Sequence, residues 1–361
     1  MKERALVAMS GGVDSSVAAL LMKRRGFEVL GAVLLLGTEE DGSARTACGG
    51  PAPLWAARAS ADRIGVPLVV VDARDVFEKR ILRPAWEAYA SGLTPNPCVL
   101  CNERIKFGLL AEKARTLGAR WIASGHHARI EEGGSGPRLL RGRDRNKDQS
   151  YFLFALPGAR LANVRFPVGS LLKDEIRDLA REAALPGADD PESQDACFSN
   201  TDHGFAETLR RRFGEPARPG AFIGAGGRRL GRHEGVHRYT VGQRRGLGVA
   251  LGRRAYVAAI RPERAEVVLD EGGAPPTASG LEASGCRFHV SLRPGDLVEV
   301  QIRSRHRAVP ARIERLDEDR LRLSFATPQR AVAPGQAAVL YREDRVLGGG
   351  WIDRLQEPFA L

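Results

Sequence analysis

The apolar positions of the first two hundred residues fall in short unbroken runs, separated by amphipathic stretches of helical period. Runs of this length bounded by turn residues read as strands buried on both faces. Residues 4–10 form the first, followed by a glycine turn and a helix predicted from about Ser15 to Arg25. "EVLGAVLLLG" reads as a second strand, "LWAARASADRIG" as a helix and "VPLVVVD" as a third strand, before a helix that ends near Tyr89. A proline-bounded loop with two cysteines comes next, then the helix "ERIKFGLLAEKARTLG" and the strand "ARWIASGHH". Strands alternating with helices predict an α/β fold, a doubly wound parallel sheet with helices on both faces. Ligands on such sheets bind outside the carboxyl ends of strands. Here those ends carry "SGGVDSS" and "SGHHAR".

The pattern changes after about residue 200. Glycine and arginine are dense between Phe213 and Gly252, and from about Gly280 short strand candidates follow one another: "DLVEVQIR", "VPARIERL", "RLRLSFA", "QAAVLYR" and "RVLGGGWI". Such spacing predicts a small closed β-barrel. The expected organisation is a catalytic domain over 1–200, a small central domain over 201–275 and a C-terminal β-barrel over 276–361. "EEGGSGPR" reads as a hairpin tip, and no internal repeat is present.

Composition narrows the class. Hydrophobic content of 43% with 27% charged residues suits a soluble globular protein. No apolar run approaches the ~18 residues that span a bilayer. The opening "MKERALVAMSGG" fits neither a signal nor a transit peptide, so a cytoplasmic protein is expected; a monomer is the expected state. Five cysteines is too few, and odd, for a secreted disulfide framework. Cys286, in a strand-like stretch, reads as a buried small hydrophobe, while Cys48 in "TACGGP" stays undecided. The net charge is +11, and residues 201–361 hold 27 Lys+Arg against 19 Asp+Glu, or +8. That balance suggests a polyanionic partner, nucleic acid being the commonest large one. Arg303, Arg305 and Arg307 alternate as one exposed strand face would, a phosphate track if the partner is RNA.

"MSGGVDSSVAA" follows a strand and opens a helix, the setting in which backbone N–H groups gather round an anion. It lacks the lysine of a Walker loop and is not G-x-G-x-x-G. It resembles the pyrophosphate loop of the ATP pyrophosphatases, which implies cleavage of ATP between its α and β phosphates to adenylate an oxygen.

"TPNPCVLCNERIKF" places Cys98 and Cys101 three apart behind two prolines. Zinc would need four ligands, and His233 and His237 of "HEGVH" have a suitable mutual spacing but lie far along the chain. A redox pair would sit in a different strand-to-helix pattern. A thiol just before a helix is made more nucleophilic by the helix N-terminus. A third cysteine, Cys197 in "DPESQDACFSN", sits among polar residues. Together with ATP activation, two exposed cysteines suggest replacement of the activated oxygen by sulfur, one thiol carrying a persulfide and the other releasing it.

Further segments, "ASGHHARI", "RNKDQSYFLFAL", "FPVGSLLKDEIRDLA", "ESQDACF", "LGRHEGVHRYTVGQRRGLG" and "TPQRAVAPGQAAVLY", extend the likeness along nearly the whole chain. With them the sequence resembles the bacterial-type tRNA-specific 2-thiouridylases. The resemblance implies an adenine nucleotide alpha-hydrolase-like sheet, two tRNA-binding domains after it, and adenylation of the C2 oxygen of a wobble uridine by ATP with Mg2+. Sulfur would arrive as a persulfide on Cys197, and Cys101 would release it, leaving a transient Cys101–Cys197 disulfide. By the same resemblance Ala8, Met9, Ser10, Gly11, Gly12, Val13, Asp14 and Ser15 hold ATP, with Leu34 and Gly125 bracketing it. Asn96, Pro97 and Cys98 meet the target base. His126, Lys147, Asp148, Gln149, Arg303, Ser304 and Gln336 touch tRNA. The implied partners are tRNA and a persulfide donor such as a cysteine desulfurase or sulfur-relay protein.

Cys98 departs from the aspartate common at its position, which makes Cys98, Cys101 and Cys197 an alternative ligand set for a [4Fe–4S] cluster. Leu34 replaces a common methionine and Ser304 a common tyrosine. The persulfide route without resident metal is the one favoured here, since a helix N-terminus already accounts for a reactive thiolate. Two rivals remain: an amide-forming synthetase with the same loop, and a zinc-containing RNA-binding protein.

Overall fold

The computed structural model describes residues 2–37, 51–134, 136–190 and 204–356. They form two compact units, one from Met1–Ile81, Cys98–Phe205 and Asp344–Val346, the other from Leu82–Pro97, Ala206–Glu343 and Leu347–Leu361.

The first unit is built on five parallel strands: β1 (Arg4–Ala8), β2 (Glu28–Leu35), β3 (Leu68–Asp72), β4 (Trp121–Ser124) and, further along the chain, the two-residue Val164–Arg165. Their order is β3, β2, β1, β4, Val164–Arg165. The order reverses between β1 and β4, whose carboxyl ends are in register at Ala8 and Ser124. A crevice opens at such a switch point. Helix α1 (Val13–Arg24) is buried along most of its length because it packs on this sheet and against α2 (Pro51–Ile64), through Val17, Ala18, Ala57 and Ala61. The expected hairpin is present: strands Ala128–Gly133 and Gly136–Arg141 pair, with Gly133 opposite Gly136 at the tip.

The cysteine segment differs from its sequence reading. The helix starts at Pro97, not Glu103, so Cys98 and Cys101 belong to its first turn (Pro97–Cys101) and not to a loop before it. Proline at a helix start costs no hydrogen bond, because that N–H would have no partner anyway. Asn102–Leu109 then continues as π-helix before α-helix resumes at Leu110–Thr116.

The second unit holds two sheets. Four strands, Gly220–Ile223, Arg229–His233, Tyr256–Arg261 and Glu266–Asp270, enclose a core of Phe222, Tyr239, Val257, Val267 and Leu269. Sequence patterning did not resolve them: glycine and arginine dilute the alternation of Gly220–Ile223 and Arg229–His233, and Tyr256–Arg261 and Glu266–Asp270 are short. His233 and His237, weighed as zinc ligands, have other roles. His233 accepts the Gly235 N–H (3.1 Å) and packs edge-on against Phe222 and Tyr239, and His237 bonds Glu207 (3.0 Å). Arg210 foremost, with His237 and Arg211, holds the Glu207 carboxyl far below the usual carboxylate range, against the opposing effect of burial.

The barrel is closed by six antiparallel strands, Thr277–Phe288, Leu297–Gln301, Val309–Leu316, Leu321–Arg330, Ala337–Arg342 and Arg345–Gln356, the first pairing with the last. Residues 303–307 correct another expectation. They form the turn after Leu297–Gln301, not a strand face, and the Gln301 amide holds it by donating to the carbonyls of Arg303 (3.1 Å) and Ser304 (2.9 Å). Cys286 is buried at the barrel seam beside Gly350, and burial, with Asp319 and Asp353, pushes its thiol up to about 12.

The seam needs glycine. Gly348 has φ +137°, and a Cβ there would lie 2.1 Å from the Arg287 carbonyl oxygen. Gly348→Ala is expected to cost roughly 2–4 kcal/mol of barrel stability. A denaturant titration followed by tryptophan fluorescence checks this, and an unshifted midpoint would refute the account of the seam.

Candidate active site

Four residues, Met9 to Gly12, separate β1 from α1. Gly11 has φ +82°, and a Cβ there would sit 2.5 Å from the Pro53 carbonyl oxygen, so only glycine fits. Ser15 organises the turn: its Oγ accepts the Ser10 N–H (3.1 Å) and donates to the Gly12 carbonyl (2.8 Å). The N–H groups of Gly11, Gly12, Val13, Asp14 and Ser15 find no backbone acceptor among the described residues. Those groups and the positive end of the α1 dipole make a cradle for an anion. Gly125, expected to bracket a nucleotide, has a second duty: a Cβ on it would come within 2.6 Å of the Asp14 carbonyl carbon and the Ser15 nitrogen. Leu34 lies buried near the carboxyl end of β2.

A group that sequence reasoning missed meets this cradle. Lys173, the first residue of helix Lys173–Glu182, places its buried Nζ 2.6 Å from Asp14 Oδ1, and His127 Nε2 approaches the same oxygen at 3.5 Å. Burial pushes the Asp14 carboxyl up, but hydrogen bonds from His127 and Lys173 and the Lys173 charge outweigh it and hold the group below its ordinary 3.8. No local pattern links Lys173 to a residue 159 positions earlier.

In the helical turn that follows, Cys98 is half-buried and Cys101 is buried, which corrects the expectation that Cys101 is exposed, and no disulfide joins either to the other or to Cys286. Residues three apart on a helix share a face. Asn102, buried beside Cys101, donates through Nδ2 to the Phe152 carbonyl (3.0 Å), tying this turn to the "DQSYF" segment. Arg160 donates to the Glu103 carbonyl (3.2 Å) within the π-helical stretch. Such stretches recur at functional sites. Cys197 and Cys48 lie outside the described residues. Among those described, no group of three His, Cys, Asp or Glu side chains is placed to hold a metal ion.

The remaining candidates divide by environment. His126 is buried, bonds Ser124 Oγ (2.7 Å) through Nδ1 and packs between Phe107 and Phe166. Burial first, then Lys106 and His127, hold its pKa well below 6.5, so it is a neutral imidazole. Asp148 accepts from the N–H groups of Gly142 and Ser150 (both 3.0 Å), from Arg141 (2.9 Å) and from Ser150 Oγ (3.0 Å). Gln149 Oε1 accepts the His127 N–H at 2.9 Å. These two side chains shape the loop that presents Lys147. In the second unit Asn96 is buried, and Gln336 donates to the carbonyls of Thr94 (3.0 Å) and Pro95 (3.4 Å), fixing the segment that enters the cysteine turn. Arg303 and Ser304 are exposed.

A family model described as tRNA methyl transferase HUP domain matches residues 3–201. Models described as tRNA methyl transferase PRC-barrel domain and Aminomethyltransferase beta-barrel domain match 207–270 and 279–352. A tRNA-specific 2-thiouridylase MnmA of Carboxydothermus hydrogenoformans is 42% identical, covering 98% of this chain and 98% of its own length. That of Thermus thermophilus is 44% identical over 99% of each. Among solved structures, NMN synthetase from Francisella tularensis aligns at 16% identity and TM-score 0.34, covering 60% of this chain, a likeness too slight to carry an argument.

The Asp14–Lys173 pair has a pH signature. A carboxyl depressed in the folded state contributes stability above its unfolded pKa and loses it as pH falls through the folded value. Lys173→Met is expected to lower stability by about 1–3 kcal/mol at neutral pH. The gap should close on acidification below 3.8. Parallel denaturant titrations at neutral and acid pH measure it, and a pH-independent gap would count against the pair.

Proposed function

The chain belongs to the tRNA-specific 2-thiouridylase family, and from that premise we propose that it exchanges the C2 oxygen of a tRNA wobble uridine for sulfur at the expense of ATP. One observation carries this reading: the same compact unit holds an anion cradle with no Walker lysine and a helical turn bearing two thiols. Residues Ala8 to Ser15 would receive the ATP phosphates, with Leu34 and Gly125 beside the nucleotide. Asp14 is the single carboxylate of the loop and is engaged by Lys173, so Mg2+ would enter chiefly on phosphate oxygens, its usual manner with nucleotides.

The chemistry balances at each step. The uridine O2 attacks the α-phosphorus of ATP, the α–β bridging bond breaks, and pyrophosphate leaves. Cys101 thiolate then attacks the inner sulfur of a Cys197 persulfide. The S–S bond to the outer sulfur breaks, a Cys101–Cys197 disulfide forms, and hydrosulfide is released. Hydrosulfide adds at C2, AMP departs with the former O2, and a thiol reductant, itself oxidised to a disulfide, later cleaves the Cys101–Cys197 bond and returns both cysteines to thiols. Asn96, Pro97 and Cys98 would line the base, and His126, Lys147, Asp148, Gln149, Arg303, Ser304 and Gln336 would support the tRNA. The persulfide would come from a donor protein.

The alternative ligand set for an iron–sulfur cluster rests on Cys98 and Cys101 in one turn, with Cys197 as its third member. Cys98 separates the routes. Along the persulfide route, Cys98→Ser keeps substantial activity; with a required cluster it loses both iron and activity.

Purified protein with tRNA, Mg-ATP and a persulfide source should give AMP, pyrophosphate and 2-thiouridine, identified by nucleoside mass analysis. Mass also separates exchange of oxygen for sulfur from addition of a methyl group. ADP and phosphate as the main products would rule out adenylation. Cys101→Ala and Cys197→Ala should each abolish thiolation. Iron-free protein that fails to thiolate, and recovers on cluster reconstitution, would replace the persulfide route by the cluster route.

A further inference from the structure

Asp14 Oδ1 is reached by two buried side chains from different elements, Lys173 through Nζ at 2.6 Å and His127 through Nε2 at 3.5 Å. The backbones of both are held by one loop, residues 142–149, "GRDRNKDQ". Near its start Asp144 Oδ2 accepts the Lys173 N–H (3.1 Å), the first amide of helix Lys173–Glu182. A carboxylate from outside the helix thus satisfies its positive end. At the other end of the loop Gln149 and His127 bond reciprocally. The Gln149 N–H donates to the His127 carbonyl (2.9 Å), and Gln149 Oε1 accepts the His127 N–H (2.9 Å).

The loop is braced between these ties. Asp144 also accepts the Asn146 N–H through Oδ1 (3.0 Å), and its carbonyl accepts the Lys147 N–H (3.1 Å). The residue that caps the Lys173 helix therefore also folds the turn that presents Lys147. Arg143 donates its N–H to the Gly169 carbonyl (2.9 Å) and its guanidinium to Glu175 (3.0 Å). Two glycines leave no slack beneath. A Cβ on Gly142 would lie 2.7 Å from the His127 carbonyl oxygen, and one on Gly169 would lie 1.7 Å from that of Ala128. Backbone packed this closely transmits a displacement and does not absorb it.

We propose that this loop couples RNA binding to nucleotide binding, with Asp144 as a positioning residue that acts on the phosphate cradle through Lys173; the inference rests on the reading of Lys147 and Gln149 as RNA contacts. A lysine carries its charge on a flexible stem, so what fixes its backbone decides how well that charge is placed. RNA that grips the loop at Lys147 and Gln149 restrains it at both ties. The nucleotide then meets a cradle whose one carboxylate is already paired, and the ordering cost has been met beforehand. Such coupling is reciprocal, so the nucleotide tightens RNA by the same factor. Its effect is to hold ATP weakly until an acceptor for the adenylate is in place.

The test titrates the full chain with α,β-methylene ATP, which cannot be cleaved between those phosphates, with and without saturating unmodified tRNA. In the wild type tRNA should tighten the analogue by about tenfold, within the usual range for coupled sites. In Asp144→Ala that factor should fall to about twofold or less, and Asp144→Asn, which keeps one acceptor oxygen, should give an intermediate factor. Lys173→Met should remove the coupling by itself, and adding Asp144→Ala to it should change nothing further, because residues that act through one another are not additive. Melting temperatures are recorded for every variant. An Asp144→Ala protein that melts earlier yet keeps the wild-type factor would reduce Asp144 to a helix cap and overturn the inference. Equal affinity of the wild type for the analogue with and without tRNA would overturn it too, as would a double variant whose loss is the sum of the two. Coupling present in the wild type and lost in the variants, in a protein that never thiolates tRNA, would remove the activity and keep the role of the loop. Thiolation by the wild type, beside variants coupled as it is, would remove the role of the loop alone.

Discussion

The end of β4 approaches the first turn of α1 so closely that position 125 has room for a hydrogen atom and no more. That contact sets the depth of the crevice at the strand-order reversal. Gly11 meets the same kind of limit from the other side, against the backbone of α2. Two glycines therefore bring three elements to van der Waals distance around a bare helix N-terminus, whose backbone amides find no backbone acceptor among the described residues. Asp14 is the one negative charge placed among them, and Lys173 neutralises it. Without that pairing a carboxylate at the mouth of the cradle would repel any anion that approached it.

The thiol turn depends on a different device. Proline begins the helix, so the two cysteines fall within its first turn, and in the π-helical stretch behind them Arg160 donates to the Glu103 carbonyl. The segment entering that turn is fixed in the other unit, where the Gln336 amide bonds the carbonyls of Thr94 and Pro95. An amide is required there because both acceptors are carbonyls, and a glutamate would have no proton to offer them.

Much of this architecture was legible in the chain. The alternation of buried runs and amphipathic stretches identified the parallel sheet, and strand-to-helix context placed "SGGVDSS" at the turn between β1 and α1. What escaped reading has two physical causes. Some elements are set by tertiary contact: the Asp14–Lys173 pair closes across 159 residues, and nothing local marks it. Others were obscured by composition. In Gly220–Ile223 and Arg229–His233 of the four-stranded sheet, glycines and arginines interrupt the period of two, and at 303–307 a turn held by Gln301 happens to space its arginines as a strand would. The cysteine helix was placed too late for a third reason, since the Asn-Pro-Cys run looks like a loop until proline is allowed its favourable place at a helix start.

Cys286 gives the barrel seam a chemical consequence. A thiol at pKa about 12 carries roughly one thiolate in a hundred thousand at neutral pH, and only the thiolate attacks sulfur. If sulfur passes through this protein as the proposed persulfide, a competing nucleophile would draw the reactive atom into a dead-end polysulfide. The glycine seam that encloses Cys286 therefore acts as chemical insulation: it lets the fold keep a cysteine for its volume while withdrawing that cysteine from the traffic in sulfur.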